Sequence, residues 1–484
     1  MTRILAIGTG PLLEPGVAKI SGQCLRTWHF VKPLLDAGHN VTLVTLPIPD
    51  RNAHAPDSSI VSKQYSNFTY SAVQTHDSRE MLVLVRRLFH DYAPDCMLGI
   101  NTFPSVIACQ VSTHKPIWVD LNGYTMAEGQ MRARRYNDDK DLKFFWTQEQ
   151  TVVRRADKFS TVSTPQAHAL IGELGLMGRL NRWTTQYGFV TVIPNAVNEI
   201  YLRDPDPGEP RRLRGVVVPS DAFIVLWSGG YNTWTDIEML ATALTRAMAQ
   251  NPNIYYISTG GMVDGHDEIT YHQFQKRIAE SPYRDRFLLH GWIDAALVPA
   301  YYRESSLGLN IDSRNYETVF GARNRLTNMM AVGLPVLTTL GTEISNVIKN
   351  HQLGLTVEIG NAEQLASLLL DAASRPQWLR EIAKRGQAFV REHYSYTRTT
   401  EEVQKWANHP QPAPDTQRKV CLSASSEDPA RVALNEVEKH YSLLTNINLD
   451  EFEQATRDLE AIRQKLPVKL YMMLKRGVKR TEHL

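Results

Sequence analysis

Cysteine is scarce in this chain, neither charge sign is in surplus, and long apolar runs are missing; each shortage removes a class of protein. The 484 residues hold four cysteines, Cys24, Cys96, Cys109 and Cys421. They are too scattered for a disulfide scaffold or for paired zinc-ligand spacing, so a reducing, cytoplasmic compartment is expected. Fifty-three lysines and arginines against 51 acids leave a formal net charge of +2. That balance implies no general affinity for polyanions, so nucleic acid is not an expected partner and any basic function must be local. No stretch approaches the roughly eighteen uncharged apolar residues that span a bilayer. The apolar start at residues 4–7 is too short for a signal peptide and ends in Gly8, as a first strand would. No HExxH pattern or carboxylate pair at metal-ligand spacing occurs, and no metal is expected.

What is present is alternation. Residues 4–7 read as a strand, 8–22 as a Gly- and Pro-rich loop, 23–37 as a helix with apolar residues at helical spacing, and 41–46 as the next strand. Further strands are expected at 96–100, 117–120 and 190–194, with a helical stretch at 138–157. Residues 204–220 hold four prolines and two glycines, the composition of a linker. The alternation then restarts with a strand at 223–227, a helix at 236–249 and a strand at 254–258, and closes in helices up to residue 407. This pattern predicts an α/β protein with two Rossmann-like, doubly wound domains facing across a cleft. The expected division is 1–203 for an acceptor-side domain, 204–220 for a linker, 221–395 for a donor-binding domain and 396–408 for a closing helix. A mobile linker at 409–429 and a charged helical tail at 430–484 would follow.

In such folds ligands meet the loops at the carboxyl ends of the strands. Gly229 and Gly230 follow a strand and open a helix, where absent side chains let backbone N–H groups approach a phosphate and the helix start favours an anion. The alternative is a plain turn capped by Thr235 or Asp236. The stretch 310–339 runs strand, polar loop, Phe320-Gly321 turn, helix, glycine stop and strand; Arg323 and Arg325 at the helix start suit a diphosphate. In the first half, the Gly16 to Gly22 loop and the strand tip carrying Asp120 and Asn122 would face an acceptor. Asp120 there could orient a hydroxyl, although Asx residues also end strands by ordinary turn chemistry. Gly8-Thr9-Gly10 lacks the third glycine and the later acid of a dinucleotide fingerprint.

Over roughly residues 1–407 the chain resembles glycosyltransferases of GT-B architecture, in particular the family-4 group of retaining enzymes. Val192-Ile193-Pro194-Asn195-Ala196-Val197-Asn198 is similar to that group's Ile-Pro-Asn-Gly-Val-Asp segment, and Ala156-Asp157-Lys158 with Val162-Ser163 to its Ala-Asp and Val-Ser segment. Asn328-Met329-Met330-Ala331-Val332-Gly333-Leu334-Pro335-Val336 is similar to its Glu-Ala-Met-Ala-x-Gly-x-Pro-Val helix. The resemblance implies transfer of a sugar, with retention, from a nucleoside diphosphate sugar to a hydroxyl on a glycan, glycolipid or other acceptor, in bacterial surface polysaccharide or glycolipid synthesis. No cofactor or metal is implied. Asn328 stands where the group has a ribose-binding glutamate. Phe320 stands where its upstream glutamate lies, so Glu317, the nearest carboxylate, is the candidate to contact the sugar and balance charge developing on its ring. Trp234 and Thr235 occupy the place of an expected lysine, which leaves diphosphate charge to Arg323 and Arg325. Gly321 completes the donor set.

Residues 467–480 hold five basic residues and no acid among Leu470, Tyr471, Met472, Met473 and Leu474. Such an amphipathic basic segment suits peripheral contact with an anionic inner membrane face; a solvated tail or a helix docked on the core is the alternative. Two other functions stay open: a nucleotide-sugar epimerase on the same architecture, and a catalytically silent nucleotide-sugar-binding partner of a transferase.

Overall fold

The computed structural model describes residues 1–12, 20–47, 59–112, 114–205, 207–263 and 265–416. Gly16, Cys421 and the expected tail at 430–484, with its basic end at 467–480, lie outside them.

Fourteen strands form two sheets among the described residues. The first holds β1 (Arg3–Thr9), β2 (Asn40–Leu46), β3 (Ile60–Gln64), β4 (Phe68–Val73), β5 (Cys96–Ile100), β6 (Ile117–Leu121), β7 (Lys158–Thr161) and β8 (Val190–Val192), in the order β3-β4-β2-β1-β5-β6-β7-β8. The second holds β9 (Phe223–Ser228), β10 (Ile254–Thr259), β11 (Phe287–Leu289), β12 (Leu307–Asn310), β13 (Val336–Thr339) and β14 (Leu355–Val357), in the order β11-β10-β9-β12-β13-β14. Every pairing is parallel except β3 with β4. That edge hairpin has no counterpart in the sequence reading.

Why these runs are strands follows from where their side chains go. In β1, Ile4 and Ala6 enter one buried cluster while Leu5 and Ile7 enter another. In β9, Ile224 and Leu226 likewise face one cluster and Val225 and Trp227 the opposite one. Successive residues point to opposite faces of a sheet, so a strand apolar at every position is covered on both. Both sheets are therefore doubly wound, as expected. Each also has a point where strand order reverses, between β1 and β5 in the first lobe and between β9 and β12 in the second. In open α/β sheets such a reversal is where ligands meet the carboxyl ends of the strands.

Two boundaries differ from expectation. Val197 and Tyr201 already belong to the core of the second lobe, with Tyr201 stacked on Tyr302 at 5.4 Å between centroids. The second lobe thus begins just past Asn195. The Pro-rich stretch at 204–220 is strapped onto it: the Glu304 carboxylate accepts the N–H groups of Arg212, Leu213 and Arg214 at 2.7–3.0 Å, and Leu213 is buried. Composition alone does not reveal that acceptor.

The closing helices, Tyr396–Thr399 and Glu401–Asn408, return to the first lobe. Trp406 packs edge-on against Trp118 at 5.6 Å, and Thr2 Oγ1 donates to Ala407 O at 2.8 Å. The mobility expected from residue 409 fails over 409–416, where Asp415 forms a buried ion pair with Arg179 at 2.9 Å. Asp157 Oδ1 there accepts the Ala413 N–H at 2.8 Å and the Thr416 hydroxyl at 2.6 Å.

Candidate functional site

The switch point of the second lobe brings Gly229, Gly230 and Arg325 together. Gly229 has φ +86°, a left-handed conformation that turns the chain at the end of β9. A side chain on Gly230 would collide with Val263. Asp236 caps the helix Ile237–Gln250 through the Met239 N–H at 2.9 Å. Arg325, 95 residues later, donates from Nη2 to Gly230 O at 3.0 Å and lies over the Trp227 ring, 4.4 Å from its centroid. Its Nη1 is shielded from solvent and has no hydrogen-bond partner among the described residues. Burial disfavours its charge and lowers its pKa; Asp312 opposes that shift. An unpaired guanidinium N–H of this kind lacks the acceptor that an anionic ligand supplies.

Arg323 does something else. Its Nε donates to Asp312 Oδ2 at 2.9 Å, and Nη1 and Nη2 donate to the two Glu317 oxygens at 3.0 and 2.7 Å. All three side chains are buried. Burial opposes the Arg323 charge, but Asp312 and Glu317 more than restore it and raise its pKa. Glu317 sits on the short helix Tyr316–Phe320, where a plain loop is expected. Burial raises its carboxyl pKa, with Arg323 pulling the other way. A side chain on Gly321 would overlap both Glu317 and Arg323, so the glycine is what lets this ion pair close. Arg323 is therefore committed to two carboxylates, and of the two arginines expected to meet a diphosphate only Arg325 keeps an unpaired N–H group. Both Glu317 oxygens are likewise taken by Arg323.

Asp120 is not an acceptor-facing carboxylate. Arg26 grips it through Nε and Nη2 at 2.9 and 2.7 Å, Ser160 Oγ donates to it at 2.7 Å, and both ion-pair partners are fully buried. The same guanidinium donates to the carbonyls of Ile193 and Pro194, which ties the first helix, Gly22–Asp36, to the junction between the lobes. No signal in the sequence pairs Arg26 with a residue 94 positions away. Asn122 donates to Asn101 Oδ1 at 3.1 Å, at the switch point of the first sheet. A side chain on Gly22 would run into the Asn324 amide of the other lobe, so this glycine permits the two lobes to meet. Asn328 accepts the Asn198 N–H at 3.3 Å and lines an interlobe hollow with Arg26, His29, Asn195 and Asn324. A neighbouring small cleft is lined by Asn195, Gly321, Arg323, Thr327 and Glu343.

The lobes touch at several polar points. Ser163 Oγ donates to Phe320 O at 2.6 Å and Thr164 N to Glu343 Oε2 at 2.6 Å. The helix Thr125–Tyr136, absent from the sequence reading, reaches across with Arg132 Nη1 to His266 O at 2.6 Å and Arg135 Nη1 to Gln273 Oε1 at 2.8 Å. Tyr124, just before it, meets Phe320 edge-on at 4.9 Å and donates to Glu173 Oε1 at 2.8 Å. On that helix stands Glu128, whose carboxyl burial pushes its pKa up to about 8; Glu317 adds to the shift and Arg323 opposes it. A lone glutamate followed by Arg132, Arg134 and Arg135 reads in sequence as a solvated helix face, which is why it escapes notice.

Residues 222–375 match the family described as Glycosyl transferases group 1. Solved structures resembling the chain include sucrose-phosphate synthase from Thermosynechococcus elongatus, at 17% identity and TM-score 0.63 over 84% of this chain and 98% of that one. HepE from Anabaena in complex with UDP-glucose matches at 15% identity and TM-score 0.58, over 84% and 100%. WaaG, a glycosyltransferase involved in lipopolysaccharide biosynthesis, matches at 13% identity and TM-score 0.59, over 84% and 100%. No curated protein matches the chain by sequence. The chain thus has the two-lobed GT-B architecture, and the match to the group 1 glycosyltransferases lies within its second lobe. Among the described residues no helix is long and apolar enough to cross a membrane.

Proposed function

We propose that this GT-B chain moves a sugar from a nucleoside diphosphate sugar to a hydroxyl acceptor, with the diphosphate seated at the end of β9. The observation that carries the reading is the unpartnered Arg325 Nη1, beside the Gly229-Gly230 turn at the switch point of the sheet. As the anomeric bond breaks, negative charge gathers on the diphosphate. A preorganised guanidinium and main-chain N–H groups stabilise that charge without reorganising. The reading assigns no metal, so EDTA-treated protein should keep its turnover. UDP-glucose is the first donor to try, since HepE is solved with it.

The test is calorimetric titration with UDP and GDP, followed by release of nucleoside diphosphate from UDP-glucose and GDP-mannose. Binding weakened about 10- to 100-fold in Arg325→Ala, the worth of a charged hydrogen bond, supports the site; an unchanged dissociation constant removes Arg325 from it. Retention at the anomeric carbon belongs to the same reading, rests on the motif likeness, and is read by NMR from the first anomer formed. A role in surface polysaccharide or glycolipid synthesis in the cytoplasm rests on the same likeness, with Cys24, Cys96 and Cys109 free and buried as a reducing compartment allows. Peripheral membrane contact through 467–480 rests on sequence alone, and sedimentation with anionic vesicles tests it.

One observation favours a second reading. The Asn328 side-chain oxygen is occupied by Asn198 N–H, at the position where the resemblance puts a ribose-binding glutamate. A nucleotide-sugar-binding partner without turnover would tolerate that. Binding of a nucleoside diphosphate with no release from any donor would favour this partner.

A further inference from the structure

The Glu128 carboxyl group has no hydrogen-bond partner among the described residues, although it sits where burial penalises its charge. Its helix begins at the tip of β6 and bridges the lobes on both sides of it: Tyr124, four residues before, meets Phe320, and Arg132, four residues after, reaches His266. Residues four apart share one helix face, so Glu128 faces the second lobe between those two contacts. Its carboxyl group also folds against the β6 tip. Gly123 there has φ +112°, and a side chain on it would overlap Glu128 Oε1.

The surroundings are acidic. Glu317, with its partner Arg323, acts on Glu128 from the second lobe. Glu149 of the helix Leu142–Arg155 also feels the Glu128 charge and is hydrogen-bonded to Glu173 of the helix Thr164–Leu176, which Tyr124 contacts. Burial holds the Glu149 carboxyl well above its usual range, and Glu173 adds to that. Such a wall repels a phosphate and suits hydroxyl groups, which donate hydrogen bonds to carboxyl oxygens.

On the transferase reading above, we infer that Glu128 contacts the acceptor, receiving the hydrogen bond of the attacking hydroxyl and then its proton. In that step the acceptor oxygen bonds the anomeric carbon on the face from which the diphosphate departs, as retention requires, and the bond from that carbon to the diphosphate oxygen breaks. The electron pair of the broken bond leaves on the diphosphate, and the hydroxyl proton passes to the Glu128 carboxylate. The acceptor class is an uncharged hydroxyl compound. A carboxyl group that titrates near neutrality is matched to such a transfer.

Water is the smallest hydroxyl acceptor, so the full chain can be tested with UDP-glucose alone, by release of UDP, with UDP affinity measured in parallel. For Glu128→Gln and Glu128→Ala we expect release about 100-fold slower, in the range for loss of a general base, with the UDP dissociation constant within about twofold of the parent. Release by the parent chain should climb as pH rises toward 8 and above, and the variants should lose that limb. Release by both variants at the parent rate, or loss of UDP affinity together with a lowered melting temperature, would overturn the inference and leave the transferase reading standing. A parent chain that binds neither UDP nor GDP sinks both.

Discussion

Arg323 and Arg325 stand two residues apart at the same helix start, yet Arg323 is enclosed by two carboxylates while Arg325 stacks on Trp227, hydrogen-bonds one backbone carbonyl and keeps one N–H group unpaired. The two substitutions to alanine should therefore fail differently. Arg323→Ala strands Asp312 and Glu317 without a cation and should cost about 3–5 kcal/mol of stability, read from urea unfolding. Arg325→Ala should leave the unfolding midpoint nearly in place while nucleotide affinity drops.

Asp120 should behave as a structural residue. Asp120→Ala leaves the buried Arg26 charge uncompensated, and a loss of about 3–5 kcal/mol is expected. A variant that keeps parental stability but loses turnover would return Asp120 to the chemistry.

The strap at 409–416 should matter to the first lobe. Asp415→Ala breaks the buried pair with Arg179 and should lower stability by about 3 kcal/mol, with faster proteolysis after residue 408. Intact stability would mean that the strap is carried by Asp157 alone.

Stability should also depend on pH through Glu128. Its folded pKa of about 8 lies above the ordinary 4.5, so between those values the folded chain holds the proton and the unfolded chain has released it. The contribution is full below about pH 4.5 and is lost as pH rises through 8. Glu128→Gln removes it, so unfolding free energy should fall less steeply across that window in the variant than in the parent. Parallel curves would place Glu128 in a solvated setting.

Much of the fold was legible because doubly covered strands are apolar runs; β5 was expected at the residues it occupies, and β9 and β10 within a residue at one end. The pair β3 and β4 was not legible, since an edge hairpin with Ser62, Lys63 and Gln64 exposed lacks that signature. At the site, residue types and loops were legible and partners were not. Arg323 and Arg325 look alike in sequence; only the fold of the 312–323 loop decides which of them meets Asp312 and Glu317. Asp120 read as a strand-tip carboxylate because its partner lies on a distant helix. Glu128 was missed because nothing local marks the face of its helix that turns toward the second lobe.

The return of the last helices onto the first lobe orders the birth of the molecule. Thr2 waits for Ala407, 405 residues downstream, and Trp118 for Trp406. A nascent chain therefore leaves the ribosome with its opening lobe incomplete and its apolar flank bare until translation is almost finished. Premature termination before residue 396 should then yield a sticky, chaperone-dependent fragment rather than an independent half.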